Sequence, residues 1–377
     1  MSRCSPASLP SFRQVAPRIP ITLAALVAAA LPAQTVTVPT VLATAEVANS
    51  ALVLPTTTNR VQCIYDWTNF TNVAAGQPIE ITSISFRSNS AWVGGLAFWM
   101  PFQYPNAEVY VQECATDHLA PSPTFAQNRT RALPTTPNFS GTLNCYTAGF
   151  LGSFTFGTIT LATPCVFVPG NQRDLLIEIV LPTAPSWGIF GPPPSGITIT
   201  TANNPVAHAC NSVRSNGTTT AATGALSAFC PVLEIGWQMP TAGAAWNESY
   251  GVGCNAPTPL RLIASPSPIV GTNLQFTLAS LPAGAGASFH LLGFGSTPGG
   301  IDLTALNAPG CRLYPALPVP DITAMTAGAV PTRSLSIPNN AALSGLILHS
   351  QSATAAPAAN GLGAVTSNAV KSVVGTH

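Results

Sequence analysis

AEVYVQEC, residues 107–114, is the stretch on which the reading of the fold turns. Val109, Val111 and Glu113 share one side of an extended chain, while Tyr110 and Gln112 share the other. Successive side chains of a strand point to opposite faces, so a repeat of two marks β structure. Short runs of the same kind recur at 60–66 (RVQCIYD), 79–87 (IEITSISFR), 174–181 (DLLIEIVL), 196–200 (GITIT) and 231–238 (PVLEIGWQ). Towards the C-terminus they recur at 260–264, 273–279, 288–294, 334–337, 345–350 and 369–374. Beyond residue 33 no stretch keeps a helical repeat; residues 303–307 offer one short turn. Many short strands separated by Pro- and Gly-rich connections predict an all-β chain of sandwiches or jelly rolls.

Composition narrows what such a chain can do. Charged residues make up 7% of the sequence, against about 25% in an average soluble domain. The 37 Pro and 30 Gly would suit a disordered chain, but 46% of the residues are hydrophobic, whereas disordered segments are poor in apolar groups. Clustered Lys and Arg, the footprint of a nucleic-acid binder, are missing. The surface must therefore be covered by neutral Thr, Ser and Asn.

The first 33 residues read as a cleaved secretory signal. Arg3, Arg13 and Arg18 precede the apolar run ITLAALVAAAL at 21–31, which leads to Pro32-Ala33-Gln34. That run is shorter than the roughly 20 apolar residues a bilayer span needs, and no later segment reaches that length. The expected protein is secreted, extracellular or at the cell surface, with no membrane span after cleavage. Residues 34–240 form one expected β-sandwich, 241–248 a linker and 249–377 a second β-sandwich. The linker assignment rests on the small, turn-prone MPTAGAAWNE at 239–248.

Nine cysteines become eight once Cys4 leaves with the signal. An even count in a secreted chain argues for disulfides. No CxxC pair is present, and Cys210 beside His208 is the nearest approach to zinc-ligand spacing. The expectation is that Cys63, Cys114, Cys145, Cys165, Cys210, Cys230, Cys254 and Cys311 are all bridged. Spacing suggests Cys145 with Cys165 and Cys210 with Cys230, which leaves Cys63 with Cys114. Connectivity among these six stays open. Cys254 and Cys311 stand alone beyond the linker and pair there.

The second sandwich carries a resemblance. Tyr250-Gly-Val-Gly-Cys254, the Gly-Ile-Asp-Leu run ending in Ala308-Pro-Gly-Cys311, and Ile337-Pro-Asn339 leading into Leu343-Ser-Gly345 resemble a C-terminal module of secreted planctomycete proteins. Gln351 and Ser367-Asn-Ala369 continue the match, which spans 249–376. The usual module has an aspartate soon after that glutamine; here Ser352 and ATAAPA follow. Residues 35–240 resemble more loosely the β-sandwich that often precedes the module. The points of likeness are Ile64-Tyr-Asp66, residues 84–87, Thr124-Phe-Ala-Gln-Asn128 and residues 166–179. The resemblance implies an extracellular bacterial protein whose C-terminal part serves display or attachment, and it implies no reaction.

Catalytic signatures are scarce. Neither a GxSxG elbow nor an HExxH helix is present. Asp117-His118 could serve a hydrolase, but an Asx turn explains the pair as well. His290 and His349 fall in apolar strand patterns and are expected half-exposed. A structural Ca2+ stays open, with Asp66, Asp117, Asp174 and Glu178 as the available carboxylates. The strongest functional hint is aromatic. Residues 91–104, AWVGGLAFWMPFQY, carry Trp92, Phe98, Trp99, Phe102 and Tyr104, and Trp187 heads a second cluster. Trp92, Trp99, Phe102, Tyr104 and Trp187 are the candidate ligand contacts. Flat aromatic faces stack on sugar rings or pack on protein; the competing explanation is a loop that folds back to close the core. The resulting expectation is a non-enzymatic protein that binds extracellular polysaccharide or a surface protein. A secreted hydrolase and a purely structural envelope component are the alternatives.

Overall fold

Alternation becomes burial along strand β5 (Phe102–Glu113), where Val109 and Val111 enter the main hydrophobic core. The structure is a computed structural model that describes residues 34–43, 51–54, 57–73, 77–87, 102–145, 157–187, 197–203, 210–254, 258–316, 321–326 and 330–377. The expected signal at 1–33 lies outside them. Strands are numbered in chain order. Among the described residues regular structure consists of strands and short 3-10 turns, with no α-helix, and no helix is long and apolar enough to cross a membrane.

The largest N-terminal sheet runs β12 (Ala225–Ser227), β11 (Cys210–Asn216), β3 (Asn59–Tyr65), β8 (Leu175–Leu181), β5 and β6 (Phe139–Cys145), with β9 (Ser186–Trp187) also on β5. Facing it is the sheet β1 (Gln34–Val38), β14 (Leu233–Gln238), β4 (Ile79–Phe86) and β7 (Gly157–Phe167). A third, small sheet joins β13 (Phe229–Pro231), β10 (Ile197–Asn203) and β2 (Ala51–Leu54). Ile177 and Ile179 of β8 meet Ile81 and Ile84 of β4 and Ile235 of β14 in one core. Two sheets that bury facing apolar rows are a β-sandwich.

The outer face of the large sheet is buried as well. Every residue of β8 is buried, and Glu178, at its centre, is fully so. Residues 115–131 fold over this face, which is why Tyr110 and Gln112 are hidden although they point away from the core. An antiparallel strand with one wet face shows apolar–polar alternation, and a strand covered on both faces does not. LLIEIVL in β8 is of the second kind.

C-terminal strands build a second sandwich. One sheet runs β15 (Trp246–Tyr250), β24 (Ala364–Val373), β23 (Ile347–Ala355), β18 (Ser288–Gly293) and β21 (Asp321–Ala324). The other runs β16 (Arg261–Ser265), β17 (Asn273–Ala279) and β22 (Thr332–Ser336), and β19 (Ser296–Asp302) pairs with β20 (Arg312–Pro315). Leu262, Leu274, Phe276, Leu348, Val365 and Val370 fill its core beside the Cys254–Cys311 disulfide. The expected pairing beyond residue 249 is thus present, and it closes a loop with a sequence separation of 57. The chain-entropy model assigns such a loop about 4 kcal/mol.

Glycines and amides of the module motif hold this half together. Gly251 has a φ of +68°, and a Cβ there would overlap the Tyr314 ring. A Cβ on Gly253 would overlap Leu260 O. Gln351 is fully buried; it donates to Arg312 O (2.7 Å) and Ser367 O (2.8 Å) and accepts from Tyr314 N–H (2.9 Å). Asn368 accepts from Leu262 N–H (2.8 Å) and donates to Leu262 O (3.2 Å), which fastens β16 to β24.

Residues 241–248 differ from a free tether. Trp246 already belongs to β15, Ala244 and Ala245 are buried, and Ala245 N–H donates to His377 O (2.8 Å). Asn171 spans the seam between the two sandwiches: it donates to Asn247 O (2.9 Å) and accepts from Ser249 N–H (2.8 Å). Residues 33–377 accordingly cluster as one compact unit.

Candidate functional site

The described ends of the two aromatic segments pair at one end of the large sheet. β5 opens at Phe102, and β9 pairs with it in the register Phe102↔Trp187 and Gln103↔Ser186. On its other side Phe102 is the ladder partner of Cys145 in β6. A register shift follows between Tyr104 and Ala107, where Asn106 takes a φ of 56°. Gln103 and Asn106 are exposed beside this end. Trp92, Phe98 and Trp99 lie outside the described residues.

Tyr104 is a correction to the expected ligand contacts. It is 1% exposed and belongs to the main core, and burial drives its phenol pKa far above the ordinary value. The bulge sets Tyr104 inward, so it closes the sandwich and offers no face to a ligand.

Asp66, His118 and Asp174 gather at the opposite end of the same sheet, each with one ligand-type atom within 4.8 Å of the others. Asp174, just before β8, is the hub. Its Oδ1 accepts from Trp67 N–H (3.0 Å), and its Oδ2 accepts from His118 N–H and lies 3.0 Å from His118 Nδ1. Asp66 caps the turn at Trp67–Phe70 by accepting from Thr68 N–H (2.9 Å), and its Oδ2 is 3.9 Å from His118 Nε2. Asp117 forms the Asx turn considered above, accepting from Leu119 N–H at 2.8 Å. Burial works against charge on the His118 ring. The Asp174 hydrogen bond and the charges of Asp174, Asp66 and Asp117 outweigh it, so its pKa stands above the usual histidine value.

One imidazole and two carboxylates, already accepting from backbone amides, do not fit Ca2+, which takes six to eight oxygens. The cluster ties the 66–70 turn, the 117–118 loop and the start of β8 together. Glu178 is likewise unavailable to a metal. It accepts from Arg60 Nε (2.8 Å), Gln62 Nε2 (2.7 Å), Arg129 Nε (2.8 Å) and Arg129 Nη2 (2.6 Å). Arg60 also stacks on Phe125, 4.6 Å from the ring centre. A buried charge persists only when paired and hydrogen-bonded. The charged residue at the centre of an apolar strand was the sequence signal for this network.

His290 and two of the suggested cysteine pairings bring further corrections. His290 is 1% exposed rather than half-exposed, because residues of β21 and β23 flank it and Phe276 stacks on it at 4.3 Å. His349 is part-buried, with Nδ1 2.9 Å from Tyr250 Oη. Cys63, Cys114, Cys145, Cys165, Cys210 and Cys230 are all buried, and the structure draws no bridge among them. Cys63 cannot meet Cys114, because Cys63 lies in the main core while Cys114 packs with Ile64 and Leu176 on the opposite face of the sheet. Cys145 sits beside Gly157, at the start of β7, whereas Cys165 lies near its far end. An extended strand rises about 3.3 Å per residue, which holds those two sulfurs well apart.

Clefts also open on the described surface. One of about 180 Å³ runs along the seam and is lined by Arg131, Thr136, Asn138, Trp246 and Asn247 among others. A shallower one of about 440 Å³ lies at Tyr250, Ser296, Arg312 and Tyr314. In the first, the Asn138 and Asn247 amides are engaged by Val111, Thr163, Pro266 and Ser372. Compared with known proteins, the chain matches no family model, no curated protein and no solved structure.

Proposed function

We propose that the protein is a secreted, non-enzymatic binding protein of the cell surface or extracellular matrix. It engages polysaccharide, or a surface protein, through the aromatic end of its N-terminal sandwich. The β5–β9 pairing carries the proposal. It sets Trp187 beside Phe102 and so joins two aromatic-rich segments far apart in sequence. Stacking suits a chain with 7% charged residues, since affinity must then come from flat apolar faces and neutral hydrogen-bonding groups. Gln103 and Asn106, exposed nearby, supply such groups.

The C-terminal sandwich acts in display or attachment, a reading that rests on its resemblance to a reused extracellular module. A hydrolase built on Asp117 and His118 has less support: the His118 ring is buried and, although 3.4 Å from Asp117 Oδ1, is held more closely by Asp174 Oδ2 at 3.0 Å. A glycan array probed with residues 34–377 tests the proposal. Retention on a set of polysaccharides supports it, and a folded chain that binds none counts against it.

A further inference from the structure

Cys63, Cys210 and Cys230 meet on the inner face of the large sheet. The β3–β11 register sets Cys210 opposite Tyr65 and Ser212 opposite Cys63. Residues paired across an antiparallel ladder share a face, as do residues two apart on a strand. Cys63, Tyr65 and Cys210 therefore project together into the core, where all three are buried. β13 crosses this spot and is fixed there by side-chain bonds. Ser212 Oγ donates to Phe229 O (2.6 Å), Tyr65 Oη to Pro231 O (2.8 Å) and the Cys230 thiol to Asn211 O (2.9 Å). These bonds hold Cys230 over the other two, in side-chain contact with Cys63 and with Cys210.

We propose that Cys230 is a shared disulfide partner, bridging to Cys210 or to Cys63 and exchanging between them through the third thiol. Three cysteines cannot all be oxidised within the cluster, so one bridge forms and one thiol remains. Cys114, Cys145 and Cys165 are set apart from one another and stay reduced. The protein then holds two disulfides, Cys254–Cys311 and one through Cys230.

The chemistry balances with a small-molecule disulfide as oxidant. Two cysteine thiols give up two electrons and two protons, the new S–S bond forms, and the oxidant's S–S bond breaks to give two thiols. Exchange is redox-neutral. The thiolate of Cys63 attacks Cys230 Sγ, the bond to Cys210 breaks, and Cys210 leaves as a thiolate that takes up the proton Cys63 released. The thiolate is the attacking form. The Cys230 contact and burial push the Cys63 thiol up, and burial with the Cys210 contact pushes Cys230 up. Exchange is therefore suppressed in the closed core and proceeds when β13 lifts or before the core closes.

A disulfide map tests this on the full chain. The reduced, unfolded protein is refolded in a mixture of reduced and oxidised glutathione, quenched in acid, alkylated and digested without reduction. In the wild type, mass spectrometry should find both the Cys210–Cys230 and the Cys63–Cys230 peptides, with the third thiol alkylated in each molecule. Cys63→Ala should leave only the first bridge, Cys210→Ala only the second, and Cys230→Ala neither. A Cys63–Cys210 bridge, a bridge from the cluster to Cys114, Cys145 or Cys165, or three alkylated thiols in the wild type would overturn it. A single bridged peptide in the wild type would refute the exchange. If an alanine variant does not fold, the wild-type map alone decides.

Discussion

At the scale of single residues, the two buried histidines pull stability in opposite directions with pH. His290 has no hydrogen-bond partner at either ring nitrogen. Burial, and then the charge of Arg333, depress its pKa to about 4, with Asp321 partly offsetting them. An unfolded histidine titrates near 6.5. Between about 6.5 and 4 the unfolded state therefore binds more protons, and stability falls as pH falls. The loss is about 3 kcal/mol on going from pH 7 to pH 4. His290→Leu should remove that loss, as read by urea melts at pH 7, 5.5 and 4; a variant with the wild-type slope would contradict the assignment. His118 has the reverse sign. Its pKa is raised, so its contribution is complete below about 6.5 and is lost as pH rises through the folded value. Neither environment could be read from sequence. SFHLLGF and TDHLA give the residues, but the partners Arg333, Asp321 and Asp174 arrive from distant strands and loops.

Elements are where the sequence speaks most clearly, and where its silences have physical causes. Alternating or apolar runs at 79–87, 273–279 and 174–181 mark β4, β17 and β8 to within a residue or so. β5 was legible only from Ala107, because Pro105 and the positive φ of Asn106 interrupt a strand that starts at Phe102. That interruption decides the fate of Tyr104, since a bulge re-aims the side chains before it. β6 and β21 lie at sheet edges, where few apolar residues are demanded; the Ser-Gly-Thr of β6 and the four-residue Asp-Ile-Thr-Ala of β21 resemble loops. Gln351 binds three strands at once through β20, β23 and β24. Its replacement by Ala takes the side-chain partner from Tyr314 N–H and Ser367 O, at about 1 kcal/mol or more for each, and leaves Arg312 O with the Thr366 hydroxyl alone. Gln351→Ala should therefore lower stability by roughly 2–4 kcal/mol. A change under 1 kcal/mol in chemical denaturation would mean that the brace is dispensable.

At the scale of the molecule, the seam sets how the halves can be separated. A fragment from Ser249 would lose the ladder pairs Trp246↔Val373, Asn247↔Ser372 and Glu248↔Lys371. It would also expose the site that Ala244 and Ala245 occupy. A fragment from Thr241 should melt cooperatively and resist protease, while one from Ser249 should be measurably less stable. Equal melting temperatures would show that β15 adds nothing. The binding account is tested on the whole chain by changing Trp99 and Trp187 to Ala and measuring both polysaccharide affinity and melting temperature. A single aromatic platform should bind in the range of about ten micromolar to millimolar. The account predicts at least a tenfold loss of affinity with the melting temperature unchanged; unchanged binding, or a large fall in melting temperature that marks the tryptophans as core, would contradict it.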